Sequence, residues 1–202
     1  MKPSELYNKI TNQTGLFNIQ AINNIPSIIK YGLLSNEKAS KINHTSIAMQ
    51  EIQERRETIS IPNGMALHKY ANVYFDPKNP MLYKRKSEND NICILKFDCS
   101  ILDFDGVIVS DRNASSTYAS FYPPEVGLNE INFKLVFASN WQDENPFEYY
   151  KKKSIKCAEV LIPYSIPFDF IICAAVHNES TKQKLEATGF KKKIFVNPQF
   201  FF

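Results

Sequence analysis

A single carboxylate, Glu159, lies inside an otherwise apolar run of the sequence. Val160, Leu161 and Ile162 follow it directly, and residues 168–176 are again mostly apolar. An unpaired carboxylate costs several kcal/mol to bury, so a strand glutamate here faces solvent, a partner or a substrate. The segment alone favours an outward-facing residue on an edge strand. Residues far upstream favour a functional glutamate instead.

Short apolar runs separated by turn signals predict a mixed α+β domain. Strands are predicted at 16–21, 71–75, 92–97, 107–109, from Glu159 onward and within 168–176. Helical spacing predicts helices at 22–31, 44–58 and 182–188, the first and last ending at Gly32 and Gly189. The sheet made of these short strands is expected to be mostly antiparallel. The pattern loosens over residues 110–156, where residues 111–116 are loop-like and two prolines at 123–124 add a break.

The composition limits the class of protein. A length of 202 residues fits one domain with a single core, and 44% hydrophobic with 13% aromatic residues argues against disorder. The four cysteines have no metal-ligand spacing and are expected to be reduced and buried. Since we find neither an apolar leader nor a membrane-length apolar stretch, we expect a cytoplasmic protein without membrane contact.

Positive charge is concentrated in three short clusters. The net charge is only +3, but basic triplets occupy 84–86, 151–153 and 191–193. A basic triplet usually forms a solvated face. Together with ten tyrosines and fifteen phenylalanines, these triplets also suit a groove for single-stranded nucleic acid. Composition leaves both interpretations open.

The stretch from residue 46 to residue 83 mixes arginines, tyrosines and prolines in a way that core packing does not require. It contains Ile-Gln-Glu-Arg-Arg at 52–56 and a block from Leu67 to Tyr83 that includes Tyr-Phe and Pro-Met-Leu-Tyr. Segment 16–34 and the late Ala-Glu-Val-Leu-Ile-Pro add to the pattern. In these motifs the chain resembles the DarT family of bacterial toxins. These toxins are NAD-dependent ADP-ribosyltransferases that modify bases in single-stranded DNA.

The resemblance implies a fold and a reaction. The implied fold is that of ADP-ribosyltransferases, with a split, mostly antiparallel central β-sheet flanked by helices, in one domain of residues 1–202. The implied reaction takes ADP-ribose from NAD+ and releases nicotinamide, with no metal. Its transition state resembles an oxocarbenium ion, which a carboxylate held against the sugar stabilises.

Two residues are implied to be catalytic. Glu159 matches the family's catalytic glutamate, which we expect to bond the ribose hydroxyls and stabilise the developing cation. Arg56 matches the arginine of the NAD-binding element, where it would grip phosphate and assist proton removal from the acceptor base. One of Arg55 and Arg56 is expected to lie on a solvated helix face, and the resemblance favours Arg56 as the functional residue.

Further polar residues are implied to bind NAD. Asn18, Ile19 and Gln20 match the stretch that holds nicotinamide and ribose, although the family commonly has histidine and threonine at the positions of Asn18 and Gln20. Asparagine donates and accepts hydrogen bonds as a neutral histidine does. Ser27 and Ser35 also fall where the family contacts NAD. A helix cap is the alternative role for both serines.

Aromatic residues have two candidate roles. Tyr74 or Tyr70 would stack on nicotinamide, or would be a half-buried strand tyrosine. Trp141 would stack on an acceptor base, or would anchor a satellite core. Among the histidines, His68 is expected to make a structural hydrogen bond.

The segment 110–156 corresponds to the loop by which the family recognises its acceptor. Its candidate substrate-binding residues, besides Trp141, are Asp111, Arg112 and Asn113. We find no ligand spacing for zinc and no nucleophilic triad.

The predicted function is ADP-ribosylation of a base, guanine or thymine, in single-stranded DNA. Asn18, with Ala71-Asn72 in place of an expected Val-Pro, favours guanine. The resemblance also implies a neutralising macrodomain antitoxin of the DarG type, and we expect a monomer. RNA or a protein side chain is the alternative acceptor. A non-catalytic single-strand-binding module is the alternative from another class.

Overall fold

The computed structural model describes residues 1–46 and 49–202. The strands of this part of the chain, in order, are β1 (Gly15–Ala21), β2 (Leu33–Leu34), β3 (Tyr70–Tyr74), β4 (Ile92–Asp98), β5 (Ile108–Ser110), β6 (Phe121–Tyr122), β7 (Glu159–Pro163), β8 (Ser165–Ile166), β9 (Ile171–Val176) and β10 (Lys193–Val196). Eight of them form a sheet in the order β10-β9-β4-β1-β3-β7-β5-β6, and β2 pairs with β8 separately. Only the β9–β10 pairing is parallel among those described.

Helices surround the sheet. In chain order they are α1 (Pro3–Thr11), α2 (Ile25–Tyr31), α3 (Asn36–Ala39), α4 (Gln50–Glu57), α5 (Pro80–Lys84), α6 (Pro124–Glu130), α7 (Phe133–Val136), α8 (Pro146–Ile155) and α9 (Glu179–Ala187). Several begin at a proline that follows a polar cap. In α8, for example, the Asn145 side chain accepts a hydrogen bond from the Phe147 amide at 2.9 Å.

Glu159 occupies an interior strand of the large sheet. It is the first residue of β7, which lies between β3 and β5, and it is in register with Tyr74 and Ser110 on those strands. The expectation of an outward-facing residue on an edge strand is therefore wrong. The neighbouring β3 follows the predicted alternation: Val73 and Phe75 are buried in the main core, while Asn72 and Tyr74 point the other way.

The predicted elements before residue 110 and after residue 156 are largely confirmed. The helix predicted at 44–58 is present only as α4, and residues 47 and 48 lie outside the described part of the chain. The loop-like prediction for residues 111–116 is confirmed, whereas the rest of 110–156 contains β6, α6, α7 and α8, for which no element was predicted. In α8 only Ile155 is buried, so the sequence carries no apolar stripe to indicate a helix.

The cysteines are free thiols. Cys93 and Cys157 are buried, whereas Cys99 and Cys173 are half-buried. Through residues 1–46 and 49–202, no helix combines the length and the apolar character that crossing a bilayer would require.

Candidate active site

Glu159 forms a buried ion pair with Arg56. The glutamate side chain is 1% exposed and that of Arg56 is 9% exposed. Arg56 Nη1 lies 3.0 Å from Glu159 Oε1 and 3.3 Å from Oε2. The Ala114 amide also donates to Oε1, at 2.8 Å. These donors offset the cost of burying the carboxylate.

The two adjacent arginines of α4 have different surroundings. Arg55 is 60% exposed and lies 3.9 Å from Glu51, one turn earlier on the same helix. Arg56 is the buried residue of that helix. The geometry thus places Arg56, and not Arg55, against the glutamate.

A cavity of about 700 Å³ lies beside this ion pair. We call the strand residues along it the floor, namely Asn18, Ile19, Gln20, Asn72 and Tyr74. We call the helix and loop residues at its opening the rim, namely Lys84, Arg85, Tyr118, Tyr150 and Lys153. A volume of this size is usual for a small-molecule or cofactor site.

Arg56 separates the carboxylate from the cavity. Arg56 lines the cavity, whereas Glu159, itself within the described residues, does not. A molecule in the cavity therefore meets the guanidinium before the carboxylate. Contact between that molecule and Glu159 requires the arginine to turn aside.

Two buried polar atoms beside the cavity have no hydrogen-bond partner among the residues described. Asn18 Nδ2 donates to the Asn72 carbonyl at 2.9 Å, which fixes the amide, but Asn18 Oδ1 is left without a donor. His68 Nε2 is also left without a partner, whereas a structural hydrogen bond joins the His68 ring to the backbone of Gln53. Buried polar atoms are nearly always satisfied, and a ligand in the cavity would supply partners here.

Three titratable groups along the cavity are held in their neutral forms. Burial raises the pKa of the Tyr74 phenol well above its usual value, and the charge of Glu159 raises it further. Burial likewise raises the pKa of the Cys157 thiol to about 12. Burial, together with the positive charge of Arg56, lowers the pKa of His68. Neither Tyr74 nor Cys157 therefore offers an anionic nucleophile at neutral pH.

The structure brings some of the predicted NAD-binding residues to the cavity and leaves others away from it. Those that line it are Asn18, Ile19, Gln20, Arg56 and Tyr74, and Tyr70 lines it as well. Ser35 does not line it: its Oγ accepts from the Lys38 amide at 3.4 Å and caps α3. Ser27 lies half-buried in the first turn of α2, also away from the cavity. For Ser35 the geometry therefore supports the role of a helix cap.

The predicted substrate-binding residues are similarly divided. Asn113 lines the cavity. Asp111 and Arg112 form an ion pair with each other at 2.8 Å, and Asp111 also accepts from the Ser120 amide, so they shape the loop from within and do not line the cavity. Trp141 is buried, with its ring edge-on to those of Tyr83 and Phe202. The geometry thus supports the satellite-core role for Trp141 and not stacking on a base.

Several residues of the cavity were missed from sequence. They include Asn72, His68 and most of the rim, with His44 also along the wall. The basic triplets indicated the region of the rim, but sequence could not show which lysine of each triplet faces the cavity. No cluster of three potential metal ligands occurs in residues 1–46 or 49–202.

A family model described as "ssDNA thymidine ADP-ribosyltransferase, DarT" matches residues 17–202. The chain belongs to the DarT family. The resemblance inferred from the motifs is confirmed, and the matched region contains both members of the ion pair, the floor and the rim of this DarT chain.

One DarT relative is matched over most of its own length, whereas another carries a long additional portion. A "DNA ADP-ribosyl transferase" of Thermus sp. (strain 2.9) is 28% identical over 183 residues, which cover 85% of this chain and 85% of the relative. A "DNA ADP-ribosyl transferase-DNA ADP-ribosyl glycohydrolase fusion protein" of Thermosipho africanus (strain H17ap60334) is 27% identical over 195 residues. These cover 93% of this chain and 49% of the fusion. The chain thus spans about half the length of that relative.

Solved DarT structures share the fold. "Thermus sp. 2.9 DarT in complex with ADP-ribosylated ssDNA" superposes with a TM-score of 0.80 at 24% identity, covering 95% of this chain and 97% of the other. The same organism's "DarT in complex with NAD+" gives a TM-score of 0.75 at 22% identity, covering 94% and 98%. The predicted fold, an α+β ADP-ribosyltransferase-like architecture around a mostly antiparallel sheet, is confirmed.

Proposed function

We propose that this chain is an NAD+-dependent ADP-ribosyltransferase that modifies a base of single-stranded DNA. The observation that carries the proposal is the buried Glu159–Arg56 pair at the start of β7, beside a cavity of cofactor size. Family membership supplies the reaction class, and the description of the family model favours thymine over the guanine suggested by Asn18 and Ala71-Asn72.

NAD+ occupies the floor in this proposal. The nicotinamide amide donates a hydrogen bond to Asn18 Oδ1, the buried acceptor without a partner among the described residues. Tyr74, a neutral phenol on the same floor, packs against the nicotinamide ring. Asparagine thereby serves at a position where histidine is common in the family. NAD+ is a substrate in this reaction, and no metal takes part in the proposed step.

Glu159 supplies the charge that the transition state needs. NAD+ binding turns Arg56 away, so that the carboxylate accepts hydrogen bonds from the ribose hydroxyls and stabilises the oxocarbenium-like ring. The bond between C1′ and the nicotinamide nitrogen breaks, and its electron pair stays on the departing neutral nicotinamide. A ring nitrogen of the base attacks C1′ and releases its proton to solvent. Arg56, no longer paired with Glu159, contacts a phosphate of the cofactor and assists the removal of the proton from the base.

The acceptor is single-stranded, because base pairing hides a ring nitrogen of this kind inside a duplex. A macrodomain antitoxin of the DarG type is the proposed protein partner. The Thermosipho relative, which joins a transferase to a glycohydrolase in one chain, supports such a pairing. We further propose that residues 1–202 act as one domain, as a monomer and in the cytoplasm.

Mass spectrometry of mixed-sequence oligonucleotides incubated with NAD+ tests this proposal. We expect the intact protein to add one ADP-ribose to single-stranded DNA, and fragmentation should place it on thymine. The Glu159→Gln variant should give no adduct. Equal modification of duplex DNA, or modification only of RNA or of protein, would contradict the proposal. Single-strand binding without any adduct or nicotinamide release would identify the non-catalytic module.

A further inference from the structure

We infer that the rim of the cavity binds the nucleotides that flank the target base, with Lys84 and Lys153 on their phosphates and Tyr150 stacked on a base. The inference rests on the proposed function, since it assigns the second substrate of that same site. It depends on three features of the rim: unpaired cations, an exposed aromatic side chain and an open position.

The lysine triplet of α8 presents a single free cation to the cavity. Lys151 Nζ lies 3.4 Å from Glu148 Oε1, and Lys152 Nζ lies 2.6 Å from Asp143 Oδ2. Lys153 has no carboxylate within ion-pair distance among the residues described, and it is the member of the triplet that lines the cavity. A half-buried ammonium without a counter-charge is available for a phosphate.

The basic triplet at the end of α5 likewise presents one lysine without an ion-pair partner among the described residues to the cavity. Arg85 is neutralised by Glu88 at 2.8 Å. Lys86 lies over the ring of Tyr83 and does not line the cavity. Lys84 is exposed, lines the cavity and makes no ion pair with the residues described. Each of these two triplets therefore directs one uncompensated lysine to the cavity opening.

The third basic triplet serves as an internal comparison. Lys192 donates to the carbonyls of Asp169 and Ile171, and Lys193 lies over Phe195 on β10. None of the three residues 191–193 lines the cavity. A cluster of basic residues in the sequence therefore does not by itself place those residues at the rim.

An aromatic platform accompanies the free lysine of α8. Tyr150 lines the cavity with its side chain largely in solvent, at 66% exposure. The ring of Tyr149 supports it at 5.2 Å, and Lys153 Nζ lies 5.9 Å from its centroid. A stacked base would cover this exposed ring, which is how single-strand-binding proteins hold bases without reading sequence.

The position of the rim favours a polynucleotide over the pyrophosphate of NAD+. The floor residues are buried or half-buried and enclose a small molecule, whereas Tyr150 and the nearby loop residue Tyr118, at 78% exposure, extend into solvent. A strand whose target base enters the cavity must leave it across this opening. Its neighbouring phosphates and bases therefore meet Lys84, Lys153 and Tyr150.

Binding of a short fluorescein-labelled, mixed-sequence DNA strand, measured by anisotropy over a range of salt concentrations, tests the inference. We expect Lys84→Gln and Lys153→Gln each to reduce the slope of log Kd against log salt by about 0.7, the value for one single-strand phosphate contact. Tyr150→Ala should raise Kd about tenfold. Lys151→Gln and Phe147→Ala are matched controls on α8, and both should leave binding near that of the intact protein.

Nicotinamide release without DNA provides the second readout. We expect the rim variants to keep the KM for NAD+ of the intact protein. A raised KM for NAD+ with unchanged strand affinity would overturn the inference, because the lysines would then hold the pyrophosphate. Equal losses in the controls, no strand binding by the intact protein, or tighter binding of the matching RNA would also overturn it. Strand binding that follows the expected pattern without ADP-ribose transfer would support the rim and refute only the proposed reaction.

Discussion

Two ion pairs, each with a fully buried member, lie close together in the chain and have different surroundings. Glu159 pairs with Arg56, and Lys156, three residues earlier, pairs with Asp76. The side chains of Glu159 and Lys156 are both 1% exposed. Only the first pair has a member that lines the cavity. Burial of charge is therefore common to both pairs, and contact with the cavity distinguishes them.

The Lys156–Asp76 pair joins three parts of the scaffold. Lys156 follows α8, Asp76 follows β3, and Lys156 Nζ also donates to the carbonyl of Val136 in α7 at 2.8 Å. Asp76 also accepts from the Lys78 amide at 3.0 Å, so this group is bonded within the protein. In the Glu159–Arg56 pair, by contrast, the guanidinium lines the adjoining cavity.

The largest effect is expected from Glu159→Gln. The amide oxygen still accepts from Ala114, but the buried Arg56 guanidinium loses its counter-charge, so we expect thermal stability to fall as well. In the folded protein, loss of the charge should slow ADP-ribose transfer about a thousandfold. Single-turnover transfer to a labelled oligonucleotide measures the rate, and calorimetry measures the stability. Full activity in this variant would remove the functional distinction between the two pairs.

The second effect is expected from Lys156→Met. It leaves the Asp76 carboxylate without its partner, so the free energy of unfolding should fall by about 3 kcal/mol, at the lower end for a broken buried pair. Urea denaturation measures this change. The transfer rate of the remaining folded protein should stay within about twofold of the original, since surface and scaffold changes act mainly on stability. A selective loss of transfer in folded protein would show that this pair also serves catalysis.

A smaller effect is expected from Arg56→Lys. Lysine keeps the positive charge beside Glu159 but lacks the planar, multiple-donor guanidinium. We expect transfer to fall about tenfold to a hundredfold, with a higher KM for NAD+, because contact with phosphate is weakened. Steady-state kinetics with varied NAD+ checks this. Unchanged kinetics would mean that Arg56 only neutralises the glutamate.

The smallest effect concerns pH and His68. The pKa of His68 lies below the usual 6.5 in the folded protein. Between the folded-state pKa and 6.5, the unfolded chain therefore binds more protons than the folded one. Stability should therefore rise with pH through this window and level off above about 6.5. The His68→Gln variant should show a shallower acid dependence of its unfolding midpoint. Equal slopes in both proteins would show that His68 does not contribute.

The site was predictable where local pattern and family motif agree. Glu159 opens a strand as predicted, and Arg56 was distinguished from Arg55 by resemblance. The pairing of Arg56 with Glu159 could not be predicted from local pattern, because it joins residues more than a hundred positions apart. The sequence left two roles open for Trp141 for the same reason, since its packing depends on Phe202, which is distant in sequence but adjacent in the fold.

The rim shows a second reason why the sequence could not reveal the whole site. The lysines of a triplet look equivalent in sequence, and only the positions of Asp143 and Glu148 in the fold leave Lys153 uncompensated. Helix α8, which presents that lysine, has too few buried residues to produce an apolar stripe. Exposed helices are therefore less visible in sequence than interior strands.

A structure of the protein with a non-hydrolysable NAD+ analogue would show whether bound NAD+ displaces Arg56 from Glu159. We predict that the analogue lies on the floor with its nicotinamide ribose hydroxyls within hydrogen-bond distance of Glu159. Arg56 should be turned away toward phosphate, while the Lys156–Asp76 pair is unchanged. An analogue bound with the Arg56–Glu159 pair intact, and with the carboxylate still shielded, would contradict this prediction.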